Sequence, residues 1–355
     1  MVQSAPVTEP LNVFDYEALA AERLEAGALG YFDGGAGDEH TLRWNVEAFE
    51  HWRLRPRVLV DVRECSAATS VLGQEVALPV LVAPFAYQRV LHPAGEPALA
   101  RAVKEAGSIM CLSTFASATV EEVADTGVGR WFQLYAFRDL GVRRAVVERA
   151  RAAGYTALVL TVDTPVLGRR ERDFRTGFEV PPEITVPMAG HGAVTPQETS
   201  KLLSSSVTWR DVEQLAGDFG LPVVLKGVQT GEDARLACEH GAAAIVVSNH
   251  GGRQLDRVAA TIDVLEEVVD AVDGRLEVLI DGGIRRGVDV VTALALGARA
   301  ALIGRPAAWG LAVGGEAGAR HVLELLRAEI ELALRLVGCT TATDVPRDRV
   351  ARKDR

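Results

Sequence analysis

The chain is poor in cysteine and lysine. Its 355 residues hold four cysteines, at positions 65, 111, 238 and 339, with no CxxC pair. Such scattered thiols exclude a disulfide framework and a structural zinc site, and they suit buried apolar groups in a reducing compartment. No metal ligand set is expected. Long apolar runs are missing too. No segment is long enough to cross a bilayer, and residues 1–10 (MVQSAPVTEP) lack the basic start and apolar core of a signal peptide. The expectation is a soluble cytoplasmic protein. The chain also lacks a cationic surplus. Its net charge of −10 disfavours nucleic acid and anionic membrane as partners, so an anionic ligand needs local cations. Lysine stands only at 104, 201, 226 and 353, and the other 34 of the 38 basic residues are arginine. A lysine that closes an apolar strand therefore draws notice.

What is present is ordinary globular composition, 48% hydrophobic and 24% charged, in a length that fits two average domains or one large α/β barrel. From residue 79 short apolar runs alternate with amphipathic stretches. The runs are PVLVAPF (79–85), IMCLS (109–113), WFQLY (131–135), ALVLTV (157–162), PVVLKG (222–227), AAIVVS (243–248), EVLID (277–281) and RAALIG (299–304). Continuous Val/Ile/Leu runs suit parallel strands covered on both faces. Helix candidates lie between them at 95–107, 120–127, 141–154, 231–241, 261–274 and 286–297, and several end at glycine. Eight strands, most followed by a helix, predict a (β/α)8 TIM barrel over 79–340. A doubly wound sheet is the alternative, but no glycine fingerprint follows the first strand. Residues 1–75 read as a helical N-terminal extension packed beside or under the barrel in the same domain (1–355). A long connection follows strand four, and its Pro/Gly/Ser/Thr-rich part, 178–206, reads as a mobile lid over the barrel mouth. The charged tail 346–355 is expected to fray.

In such a barrel, chemistry sits at the C-terminal strand ends. Here these ends carry Pro84, Ser113, Gln133 with Tyr135, Thr161 with Asp163 and then Arg170, Lys226, Ser248 with His250 and Arg253, Asp281, and Gly304 with Arg305. Convergence of so many polar groups on one face is hard to explain as packing. DGGIRRG (281–287) and GRP (304–306) are placed to form a phosphate site from backbone amides and a helix N-terminus, with Arg285 and Arg305 adding charge; DGG alone is equally a plain left-handed turn. Lys226 reads either as a snorkelling surface residue or as a buried cation set to stabilise growing negative charge. His250 lies between a strand end and two glycines that bring Arg253 to the same mouth. A near-neutral imidazole beside a guanidinium suits proton removal from an anionic substrate. Asp163 either orients that imidazole or caps a turn.

These motifs resemble those of the FMN-dependent L-2-hydroxy-acid oxidases and dehydrogenases, from about residue 12 to 340. The resemblance rests on GGAGDEHTLRWN (34–45), APFAYQRVLHPAGE (83–96), STFAS (113–117), WFQLYAFRD (131–139), TVDTPVLGRRERDFR (161–175), LKG (225–227), SNHGGRQLD (248–256) and DGGIRRGVDV (281–290). It implies FMN as cofactor and oxidation of an (S)-2-hydroxy acid to the 2-oxo acid, with electrons passing to FMN and then to O2 or another acceptor. It also implies a homo-oligomer, often a tetramer. By the same resemblance Tyr31, Arg170 and Arg253 hold the substrate carboxylate. Tyr135 bonds the substrate oxygen, and His250 is the base paired with Asp163. Pro84, Phe85, Ala86, Ser113, Gln133, Thr161, Lys226 and Ser248 resemble flavin-ring and ribityl contacts. Asp281, Gly283, Arg285, Gly304 and Arg305 resemble ribityl and phosphate contacts. Phe115 stands where glycolate oxidases have tryptophan, and Val166 where an arginine is common. Phe115, with the AYQR (86–89) and RDFRTGF (172–178) stretches, resembles the hydroxymandelate-oxidising branch. They favour an aryl substrate such as mandelate or 4-hydroxymandelate over glycolate or lactate. The competing readings are an FMN-dependent barrel of another class, such as an isomerase, and a non-catalytic flavin-binding scaffold.

Overall fold

The computed structural model describes residues 9–189 and 195–353. Eight parallel strands close into a barrel: β1 (Val80–Val82), β2 (Ile109–Leu112), β3 (Gly129–Leu134), β4 (Leu158–Thr161), β5 (Val223–Val228), β6 (Ala244–Val247), β7 (Glu277–Asp281) and β8 (Ala300–Ile303). Each pairs with the next in sequence, and β8 returns to β1. The eight apolar runs are thus the eight staves. The six helix candidates also form, at 95–105, 120–124, 140–152, 231–239, 261–272 and 287–295. Trp209–Phe219 and the helical segment Arg305–Val337, which is broken by a kink at Gly314 and Gly315, complete the outer ring.

Strand periodicity explains how the polar ends arise. Side chains alternate across a strand, so every second residue points inward. The inward set includes Leu81, Cys111, Trp131, Val159, Val224, Val246, Leu279 and Leu302, which pack as one buried cluster. The next inward position after each is Ala83, Ser113, Gln133, Thr161, Lys226, Ser248, Asp281 and Gly304. A third step reaches Tyr135, Asp163 and His250. The apolar filling thus ends where the polar layer begins. The intervening residues, such as Val80, Leu112, Phe132 and Leu160, face the helices in the second cluster.

The N-terminal extension begins as helices (Val13–Arg23, Ala26–Asp33, His40–Glu47) but is not helical throughout. Strands 69–71 and 74–76 form an antiparallel hairpin whose Val71 and Val76 join the inward cluster, so the hairpin plugs the barrel floor. The charged tail does not fray as expected through residue 353, and residues 354–355 lie outside the described residues. Residues 350–352 pair antiparallel with 52–54, and Val350 is buried. The pairing satisfies backbone groups that a free tail would leave to water.

The connection after β4 is more ordered than a structureless lid. Phe178, Val180, Ile184, Val186, Met188 and Leu203 are buried, and residues 196–200 form a short helix. Residues 190–194 of the expected lid lie outside the described residues. Among the described residues, no helix is long and apolar enough to cross a membrane.

Candidate active site

The polar layer opens into a cleft of about 1180 Å3, counting its open mouth. Tyr31, Pro84, Phe85, Ala86, Ser113, Tyr135, Arg170, Lys226, His250, Arg253, Asp281, Gly283, Arg285, Gly304 and Arg305 all line it. Four other expected residues lie just beneath. Gln133 Nε2 donates to the Thr161 hydroxyl at 2.9 Å, and Gln133 Oε1 accepts from the Thr114 amide at 3.1 Å. Ser248 accepts from the Lys226 ammonium at 2.9 Å. Asp163 stands behind His250.

His250 is held by an unusual turn. His250, Gly251 and Gly252 all have positive φ, at 58°, 63° and 77°. A β-carbon at Gly252 would sit 2.6 Å from the Leu42 nitrogen, so only glycine fits there. A non-glycine residue in this region costs ~1–2 kcal/mol, and the cost is borne only where surroundings fix it. The neighbour Asn249 supplies the fixing. It is buried and exchanges two 2.8 Å amide bonds with Asn45 from the N-terminal extension. Asp256 adds a second tie by accepting from the Asp38 and Thr41 amides. Sequence reasoning assigned no role to Asn45, Asn249 or Asp256, although each lies inside a quoted motif.

The turn places His250 Nδ1 3.0 Å from Asp163 Oδ1, and Nε2 3.5 Å from the Tyr135 hydroxyl. Asp163 is thereby a partner of the imidazole rather than a turn cap. Burial lowers the His250 pKa, and this outweighs the upward pull of Asp163. Burial pushes Asp163 up, but the His250 ring and Lys226 outweigh it and hold the carboxyl below its usual range. The resting pair is a neutral imidazole against a carboxylate. Burial, with Asp163 nearby, pushes Tyr135 to about 12, so its hydroxyl stays a donor.

Lys226 is buried, not snorkelling, and pairs with Asp281 at 2.9 Å. Burial works against its charge, but Asp281 and Asp163 more than compensate and raise its pKa. Asp281 Oδ1 has no protein partner.

The arginines crowd together. Burial, then Arg170, brings Arg253 down to about 10; burial, then Arg253 and Arg285, brings Arg305 down to about 9. Both remain charged near neutrality, and the repulsion they feel from neighbouring guanidinium groups favours incoming anions. Arg253 donates to the Tyr31 and Gly34 carbonyls at 2.5 and 2.9 Å, and its guanidinium lies over the Tyr31 ring. Arg170 Nε is buried without a partner, and Asp173 stands 4.0 Å from its amino end. Asp173 was missed; it lies in the quoted RRERDFR stretch, three residues past Arg170.

At the far end, Gly282 and Gly283 have φ of 93° and 83°, and a β-carbon at Gly283 would overlap the Asn45 carbonyl. Arg285 Nε and Arg305 Nε are buried without partners beside the N-terminus of helix 305–337. Unpaired cationic donors at a helix start suit a phosphate. Together with the buried lysine–aspartate pair and the length of the cleft, they fit FMN.

Two positions in the stretches that suggested an aryl substrate do not face the cleft: Phe174 is 55% exposed, and Arg89 is tied to the Ser117 carbonyl and Glu122. Phe115, Ala86 and Tyr87 do line it, and Phe115 stacks on Tyr135 at 5.3 Å between ring centres.

Comparisons with known proteins agree with this geometry. The L-lactate oxidase of Nostoc is 50% identical, with 96% of this chain and 97% of that protein covered. Glycolate oxidase 5 of Oryza sativa subsp. japonica is 48% identical, with 96% of each covered. A solved structure of mandelate oxidase with benzoyl-formic acid superposes with a TM-score of 0.90 at 43% identity, covering 97% of this chain and 99% of that one. The profile of the FMN-dependent dehydrogenases matches residues 20–352. The chain therefore belongs to the FMN-dependent dehydrogenase family and is an FMN-dependent oxidoreductase of the 2-hydroxy-acid oxidase type.

Proposed function

We propose that the enzyme oxidises an (S)-2-hydroxy acid with an aryl side chain, such as mandelate or 4-hydroxymandelate, to its 2-oxo acid, and that dioxygen accepts the electrons. The observation that carries the reading is the placement of His250. Its Nε2 faces the cleft beside the Tyr135 hydroxyl, its Nδ1 is held by Asp163, and Arg253 and Arg170 line the same wall.

FMN, when bound, would supply a two-electron sink. Ser113, Gln133, Thr161, Lys226, Ser248 and the Pro84–Ala86 backbone would hold its ring and ribityl end. Asp281, Gly283, Arg285, Gly304 and Arg305 would hold the ribityl and phosphate end. Arg170 and Arg253, with Tyr31, clamp the substrate carboxylate, which relieves their mutual repulsion. Tyr135 donates to the substrate oxygen. Neutral His250 then takes a proton, and the imidazolium that forms gains the attraction of the Asp163 carboxylate at 3.0 Å. Lys226 places positive charge where the ring gains negative charge.

The stacked Phe115 and Tyr135 rings support the aryl side chain, since an aromatic wall favours an offset aromatic partner. A second reading, a small aliphatic 2-hydroxy acid, is favoured by the similarity to lactate and glycolate oxidases. Anaerobic titration of the flavin absorbance discriminates them. (S)-mandelate is expected to bleach the flavin faster than lactate or glycolate at equal concentration. The reverse order refutes the aryl assignment, and no bleaching with any hydroxy acid refutes the reaction.

A further inference from the structure

A second cavity lies behind the first. It measures about 1160 Å3, counting its open side, and sits at the ends of β3, β4 and β5 beneath residues 203–209. Tyr135, Thr164 and Leu203 line both cavities, so this one ends against the far side of the residue that faces His250. Its wall is pinned. The Ser204 amide donates to the Ala136 carbonyl at 2.7 Å, the Arg138 amide to the Leu202 carbonyl at 2.9 Å, and Arg138 Nε to the Leu203 carbonyl at 2.7 Å.

The linings differ in charge. The main cleft carries Lys226 and four arginines against Asp281, whereas among the described residues Asp233 is the one charged group at the second cavity, whose wall otherwise combines Val162, Val207, Val212, Val228 and Trp209 with the hydroxyls of Thr161, Thr164, Ser204, Ser205 and Thr208. A hydroxy-acid anion gains nothing there and is repelled by Asp233. A small neutral molecule faces no such barrier, and the apolar corner formed by Val207, Val212 and Val228 offers an apolar gas a place to rest. The proposed reaction has one such reactant. The hydroxy acid loses two electrons and two protons, and dioxygen takes up both to become hydrogen peroxide, itself neutral. With the carboxylate clamped at the arginine-lined mouth, that mouth is obstructed for a second reactant.

We propose that the cavity behind Tyr135 is a separate passage by which dioxygen reaches the site and hydrogen peroxide leaves it, while the acid uses the arginine-lined mouth. The inference rests on dioxygen being the acceptor. It assigns Val207, half-buried in the passage wall, as a residue that controls access without touching the acid.

The test fills the passage in the holoenzyme with Val207→Phe or, at its exposed rim, Ser205→Trp. Enzyme reduced anaerobically with mandelate is mixed with dioxygen in a stopped-flow instrument. The reoxidation constant is expected to fall about tenfold while the anaerobic reduction rate stays unchanged. Crystals of the wild type under xenon should show the gas between Val207 and Val228, and those of Val207→Phe should not. If Val207→Phe fails to fold, Ser205→Trp and the xenon site carry the test. Unchanged reoxidation in a filled, FMN-bound variant, or no xenon in the wild type, overturns the passage alone. Slower reduction with unchanged reoxidation overturns it too, because the acid then uses this route. Wild-type reduced enzyme that reacts with a dye but not with dioxygen overturns both the passage and the oxidase reading.

Discussion

Replacing Asn249 by alanine tests how the strained turn under His250 is held. Asn249 donates to Asn45 Oδ1 at 2.8 Å and to the Ala259 carbonyl at 3.1 Å, and it accepts from Asn45 Nδ2 at 2.8 Å and from the Gly252 amide at 3.2 Å. Four bonds at about 1 kcal/mol each give ~4 kcal/mol. The Gly252 amide and Asn45 Oδ1 keep other partners, Asn249 O and the Thr261 amide, which trims the loss to ~3 kcal/mol. That is a large share of the ~5–15 kcal/mol that holds a typical domain. Without the clamp, His250 can relax from its φ of 58° and leave Asp163. A misplaced base costs on the order of 10²-fold in rate. Urea unfolding of Asn249→Ala, Asn45→Ala and the double variant reads the stability. Because the two residues act as one unit, the double variant should be little worse than either single one. Anaerobic flavin reduction reads the rate. A loss under ~1 kcal/mol with unchanged reduction would refute the account, since a loosely held turn loses far less.

Two other predictions concern charge. The His250 pKa lies below its ordinary value, so kcat/KM should rise with pH along a limb centred below about 6.5 and then stay flat through neutrality, because Tyr135 titrates only near 12. The same shift predicts that stability falls as pH drops through that window. There the unfolded chain binds the proton more readily than the folded one, and the depressed Asp163 carboxyl acts in the same direction at lower pH. A pH–stability curve for the wild type against His250→Gln checks it; identical curves contradict the assignment. Arg253→Met should raise KM for the acid far more than it weakens FMN, as isothermal titration of each ligand would show; equal losses would mean that Arg253 serves the cofactor.

The barrel was legible because parallel strands buried on both faces leave unbroken apolar runs, and all eight became staves. The site was legible because inward alternation carries six of the eight runs to a polar end such as Lys226 or Asp281. What the sequence hid depends on partners far along the chain. The Asn45–Asn249 pair spans 204 positions, and nothing local marks two buried amides that face each other. The tail 350–352 reads as charged and loose, yet the partner strand at 52–54 satisfies its backbone. Helix 209–219 was lost within the long connection after β4.

The central claim is that His250, oriented by Asp163, takes the proton from the acid. The most direct measurement is anaerobic reduction of the flavin by mandelate in His250→Gln, alongside its FMN content. The account predicts full FMN occupancy and a reduction rate lower by ~10²–10⁴-fold. Full occupancy with a wild-type reduction rate would contradict it.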